Sequence, residues 1–244
     1  MQTVRRVIRR KIAYLALATG LLPLAGCASI SSVQQTNDQL PMYGQPAITR
    51  SDDLKKADDE FIKQSTIPIG TRETASKVWH AQGNAYLNRG NVELAMRRYN
   101  QSWLLNPNNY QPYWGFGRVT LQRGKFDEAI GYFEKAKQLC DDQYQKVALL
   151  SDTGTAYAIK AEKTDKGDVA ERTRLYALAY DHFKQSVAMD PKYDNSWRNW
   201  AWTLHLEGKD AEAGEKIKEA RSVVGHKFPP EFLRDLEQKL QEPK

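Results

Sequence analysis

Few side chains in this sequence are spaced for chemistry, and the thiol of Cys27, closing an apolar run, is the one whose setting singles it out. The other thiol, Cys140, falls at the end of a helical stretch, where the expected role is a buried small hydrophobe. His80, His182, His205 and His226 show neither the His-Glu-x-x-His spacing of a zinc hydrolase nor a Cys/His metal pattern. No pair of acids shares a helical phase with them. The glycines mark turns or helix contacts and form no phosphate-cradling loop. These absences point away from an enzyme, and no cofactor or metal is expected.

The context of Cys27 is more informative. Met1 to Lys11 carries Arg5, Arg6, Arg9, Arg10 and Lys11 without an acid, and Ile12 to Leu24 is apolar. That run is short for a transmembrane span and is interrupted by Gly20 and Pro23, which disfavours the alternative of a buried or spanning helix. A basic head, a short apolar stretch and small residues describe a secretory signal. Leu24-Ala25-Gly26-Cys27 then resembles the lipobox of bacterial lipoproteins. The resemblance implies cleavage after residue 26 and acylation of Cys27, a membrane anchor that two chains already make firm. Ala28 and Ser29 follow, and neither is the aspartate of an inner-membrane retention signal. The expected location is therefore the periplasmic side of the outer membrane of a Gram-negative bacterium.

Loss of the signal also removes the apparent basicity. The chain has 36 basic and 30 acidic residues, and the five basic residues of the leader leave 31 against 30. Such a balance is no footprint for nucleic acid.

Beyond the leader, a pattern returns every 34 residues. Trp79, Gly83, Tyr86, Ala95, Tyr99 and Pro107 recur as Tyr113, Gly117, Thr120, Ala129, Phe133 and Asp141, and again as Trp197, Ala201, Leu204, Ala213, Ile217 and Gly225. The period and the order of large and small residues resemble the tetratricopeptide (TPR) repeat. Small residues let paired helices approach, and large ones fill the groove between them. The fold expected is an all-α TPR solenoid of helical hairpins with terminal capping helices, preceded by a signal peptide and a flexible tether. Its boundaries are 1–26 for the signal, 27–50 for the tether, 51–70 for an N-terminal capping helix, 71–227 for the solenoid and 228–244 for a C-terminal capping helix. The repeats fall at 76–109, 110–143, 147–193 and 194–227. In the third, Gly154 and Ala179 are 25 residues apart where the others have 12, so 13 residues are inserted. Lys163-Thr164-Asp165-Lys166-Gly167-Asp168 reads as the tip of a lengthened hairpin, either a solvated elaboration or an edge near a binding surface.

In TPR proteins the first helix of each hairpin lines a concave groove. The resemblance assigns to it His80, Asn84 and Asn88, then Gln111, Trp114, Arg118 and Gln122, then Ser151, Thr155 and Ile159, and finally Asn195, Arg198, Trp202 and His205. The clamp by which chaperone-docking relatives hold a C-terminal carboxylate is absent: its positions hold His80, Asn84, Gly115, Ala148 and Asp152, and only Asn84 agrees. Trp114 and Trp202 are the expected hot spots, with packing on a neighbouring helix as the alternative. The function implied is a membrane-anchored periplasmic scaffold that binds a protein or peptide through the groove. Outer-membrane assembly, pilus or secretion machinery and cell-wall enzymes are its candidate settings. The alternative is a glycan- or peptidoglycan-binding module stacking sugars on the groove tryptophans.

Overall fold

The computed structural model describes residues 37–225 and 228–241. The signal peptide, Cys27 and His226 lie outside the described residues. Ten helices and no strands occur among those described: α1 (Asp52–Thr66), α2 (Arg72–Leu87), α3 (Val92–Leu105), α4 (Tyr110–Gln122), α5 (Phe126–Leu139), α6 (Gln143–Lys163), α7 (Val169–Met189), α8 (Asp194–Leu206), α9 (Asp210–Val224) and α10 (Pro230–Gln241). Helices α2 to α9 pair as four hairpins, flanked by α1 and α10 as capping helices.

The repeat register has a direct steric origin. A Cβ at Gly83 would lie 2.4 Å from the Tyr99 ring, and one at Gly117 would lie 2.4 Å from Phe133. At Gly154 it would meet Phe183 at 2.8 Å and the Ala179 carbonyl at 3.0 Å. Each first helix thus presents a bare backbone to the aromatic ring of its partner. The fourth hairpin carries Ala201 at this position, and the partner is the smaller Ile217. Ala95, Ala129, Ala179 and Ala213, the small residues facing back from the second helices, are all fully buried. Two buried serines tighten the first crossing: the Ser76 hydroxyl donates to the Ser102 carbonyl and the Ser102 hydroxyl to the Ser76 carbonyl, both at 2.8 Å.

The ends of the helices follow their sequence signals. Oxygen-bearing side chains cap the N-termini of α1 to α4, α6 and α7, with Asn91 Oδ1 accepting from Leu94 N at 3.0 Å and Asp142 Oδ1 from Tyr144 N at 2.9 Å. Lys125, Tyr193 and Lys209 precede α5, α8 and α9 without a side-chain cap. The hairpin turns use Gly90, Gly124 and Gly208 at φ between 75° and 85°. Ser51 caps α1, and Phe61 on that helix meets Trp79 edge-on at 5.3 Å. On α10, Phe232 and Leu236 are buried against Trp197, Ala201 and Leu204, whereas Leu240 is exposed.

The structure corrects the sequence reading in two places. The tether does not run free to residue 50. From Asp38 the chain lies docked as a strap on α3 and α4, with a 3-10 turn at Pro41–Gly44. Fully buried Asn100 recognises its backbone, donating to the carbonyls of Asp38 (3.0 Å) and Leu40 (2.9 Å) and accepting from Tyr43 N (3.3 Å). Arg123 adds a bond to the Gln39 carbonyl at 2.6 Å, and Tyr43 is buried beneath the Arg50 guanidinium at 4.2 Å. Composition alone concealed this because much of the attachment runs through backbone groups, to which side-chain identity is indifferent, and the anchoring Pro41, Met42 and Tyr43 form a short apolar run with no helical or strand period. The other correction concerns the third repeat. Its first helix starts at Gln143, one turn before residue 147, because Asp142 supplies the cap.

The inserted residues lengthen α6 and α7 to 21 residues each. The extension has its own small core of Ala161, Leu175 and Tyr176, and Glu162 takes both the Tyr176 hydroxyl and Arg172. It is a packed continuation of the hairpin, with residues 164–168 as its tip.

Gly117→Leu should lower stability by about 1–3 kcal/mol or more, since the Phe133 ring has no room to retreat. Gly131→Ala, on the same hairpin and with nothing within 4 Å of the new Cβ, should raise it by about 0.5–1 kcal/mol. Paired thermal melts check both. Asn100→Ala should release the strap, read as faster amide exchange at Tyr43 and a loss of about 1–3 kcal/mol.

Candidate functional site

The first helices α2, α4, α6 and α8 stand side by side, and their groove-facing side chains join into a polar ladder. On α2, Asn84 Oδ1 accepts from the Tyr99 hydroxyl at 2.8 Å and from Arg118 Nη1 of α4 at 3.3 Å. Trp114 of α4 donates Nε1 to Asp152 Oδ2 of α6 at 2.7 Å. From α8, Asn199 Nδ2 reaches back to Ser151 Oγ (3.2 Å) and Thr155 Oγ1 (3.0 Å) on α6. Between these rungs lies a cavity of ≈ 420 Å³ lined by Leu87, Arg118, Leu121, Phe133, Asp152 and Ile159 among others. Its size is that of an ordinary ligand pocket.

Burial sets the electrostatics. Desolvation, assisted by the Arg118 charge, depresses the His80 imidazole to about 4, so His80 is neutral at physiological pH. Its ring packs 5.6 Å from that of Tyr99 and forms floor more than wall. Asp152 is pushed above the usual carboxylate range by burial, against the pull of the Trp114 hydrogen bond and the Arg118 charge.

Of the residues assigned to the groove, Asn84, Trp114 and Arg118 are brought together with His80 beneath them. Asn88 caps the C-terminus of α2 and Gln122 ends α4, both exposed at one rim. Gln111, in the first turn of α4, receives a long 3.5 Å bond from Asn109. Asn195 and Arg198 are bonded to each other at 3.3 Å, and Arg198 also pairs with Asp194 at 2.6 Å. Three of the assigned side chains are already engaged by the fold. The indole N–H of Trp114 is committed to Asp152 and its ring packs on core residues of the second hairpin, the packing alternative, which leaves it half-buried. Trp202 stays 45% exposed but leans on Phe232 of α10 with centroids 5.1 Å apart. His205 does not face an empty groove either. It sits between Asp210 Oδ1 (2.5 Å) and Asp235 Oδ2 (2.9 Å), fastening α10 to the last repeat.

Asp152, Asn199 and Tyr99 are the groove residues that the repeat positions failed to nominate. Asp152 does occupy a slot where the chaperone-docking clamp carries a cation, and its contrary charge was the available signal. The remaining histidine among those described, His182, is buried and stacked on Tyr157 at 5.5 Å. Cys140 is buried with its thiol pushed up by desolvation, the setting of an inert core residue. No cluster of metal-ligating side chains occurs among the described residues, and none of their helices is long and apolar enough to cross a membrane.

Residues 80–144 match the family model of the tetratricopeptide repeat. No curated protein matches the sequence. Among solved structures, a thermophilic TPR protein of Thermus thermophilus is similar at 15% identity and a TM-score of 0.58, covering 68% of this chain and 83% of that one. The Cut9–Hcn1 hetero-tetramer of the APC/C is similar at 17% identity and a TM-score of 0.55, covering 78% of this chain and 34% of that one. At these identities the likeness is one of fold, and the fold is a TPR-like helical solenoid.

Because the folded imidazole of His80 titrates near 4 and an unfolded one near 6.5, the unfolded chain binds the extra proton between those values. Wild-type stability should therefore fall as pH drops from 6.5 to about 4. His80→Gln should flatten that part of the profile, as denaturant melts across the window will show.

Proposed function

We propose that this TPR-like solenoid is a scaffold held at the periplasmic face of the outer membrane by lipid on Cys27, recruiting a protein or peptide partner through its concave groove. The observation that carries the binding half is the ≈ 420 Å³ pocket among the first helices, where polar rungs alternate with apolar side chains. Extended peptides are recognised by such mixtures, hydrogen bonds holding the main chain and apolar pockets selecting side chains. The anchoring half rests on the leader and on Leu24-Ala25-Gly26-Cys27. Envelope machinery for outer-membrane, pilus, secretion or cell-wall assembly is the setting that a lipoprotein of this build would serve. Sugar stacking is the weaker reading, since Trp114 is half-buried and Trp202 leans on α10.

A photo-crosslinking residue placed at Gln122 or Thr155 in the intact envelope should capture a discrete partner, identified by mass spectrometry. One placed at Lys218, on the outward side of α9, should not. Capture from Lys218 alone would move the binding surface off the groove. Cys27→Ser should abolish palmitate labelling and release the protein from the outer-membrane fraction. Retention of both would remove the anchor from the proposal.

A further inference from the structure

Arg118 on α4 and Asp152 on α6 face one pocket with opposite charges, yet they do not form an ion pair. Each is held from the side by a neutral group. Arg118 uses Nη1 on Asn84, and Asp152 uses Oδ2 on Trp114. A guanidinium carries five N–H donors and a carboxylate about four acceptor sites, so both keep most of their capacity. The same pocket is lined by half-buried Leu87, Leu121 and Ile159, backed by fully buried Phe133, with Gln122 and Thr155 beside them.

We infer that Arg118 and Asp152 are the two poles of a subsite for one stretch of extended, uncharged peptide. A main-chain carbonyl accepts from Arg118, a main-chain N–H donates to Asp152, and one aliphatic or aromatic side chain seats on Leu87, Leu121 and Ile159. The assignment rests on the groove being the binding surface and adds what the groove selects. Charge complementarity picks the ligand. An anionic group drawn to Arg118 meets the Asp152 carboxylate, and a cationic group drawn to Asp152 meets the guanidinium. A peptide unit offers a donor and an acceptor with no net charge, which satisfies both poles at once. A terminal carboxylate is disfavoured for the same reason. Burial has already raised the Asp152 carboxyl above its usual range, so a donor arriving at its open oxygen replaces solvation that the fold has removed.

The test uses the mature chain and a positional-scanning library of fluorescein-labelled decapeptides, acetylated and amidated so that no terminal charge is present. The selected pool should concentrate Leu, Ile, Met or Phe at one position and reject Asp, Glu, Lys and Arg there. By fluorescence anisotropy the best peptide should weaken about tenfold or more with Arg118→Ala and with Asp152→Ala. Arg118→Lys and Asp152→Asn should weaken it less, and these milder variants decide the matter if an alanine variant melts early. Lys218→Ala, outside the groove, should bind as wild type. If peptides are selected but respond to Asn199→Ala and not to Arg118 or Asp152 variants, the subsite is wrong while the groove reading stands. If no peptide is enriched, or soluble peptidoglycan fragments displace the selected one and bind in its place, the peptide assignment is overturned. Failure of the Gln122 and Thr155 crosslinks as well would overturn the groove reading with it.

Discussion

The approach of a bare helix backbone to an aromatic ring is the constraint on which the rest of this molecule depends. Gly83 against Tyr99, Gly117 against Phe133 and Gly154 against Phe183 leave no space for a Cβ, so the two helices of each of the first three hairpins cross in one register. Once that register is fixed, the same faces of successive first helices must line up. The groove is the consequence. Tyr99 carries the effect between repeats, because its ring also lies 2.5 Å from where a Cβ of Gly115 would stand. Its hydroxyl then emerges on the groove side to hold Asn84. One side chain thus sets helix spacing within a hairpin, stacking between hairpins and the orientation of a groove amide.

The ends of the solenoid are closed by different devices. At the N-terminal side, α1 packs Phe61 on Trp79, and the strap adds a second cover whose backbone is read by Asn100. Met42 and Tyr43 adopt left-handed backbone there at φ 53° and 55°. Such conformations cost free energy in non-glycine residues and persist where surrounding contacts over-determine them. Burial of Tyr43 and the Asn100 bonds supply that determination. At the other end the seal is partly hydrogen-bonded, with His205 between Asp210 and Asp235, the second of them on α10. The third hairpin needs no cap for its extension, since Leu175 and Tyr176 close a core across it.

The groove chemistry follows from what these contacts leave over. Several groove polar groups are committed to one another across adjacent first helices. What these bonds leave over is unused hydrogen-bonding capacity. Here that capacity is concentrated at Arg118 and Asp152.

The hairpins, their turns, the lengthened third repeat and both capping helices were legible in the sequence because each is specified locally. Residue size at fixed spacing, glycine at turns and oxygen-bearing caps act within one or two helices, and a 34-residue period repeats the instruction. The setting of Cys27 is equally local. What tertiary structure decided is which polar groups meet. Asn100 joining residues 38–43, Trp114 joining Asp152, and Asn199 joining Ser151 and Thr155 are contacts between residues 38 to 62 positions apart. Hydrogen bonding is directional and has no period, so composition could mark residues 38–50 only as an aperiodic, turn-rich stretch with scattered apolar residues and Trp114 only as large. Their commitments depend on distances that exist once the helices have packed.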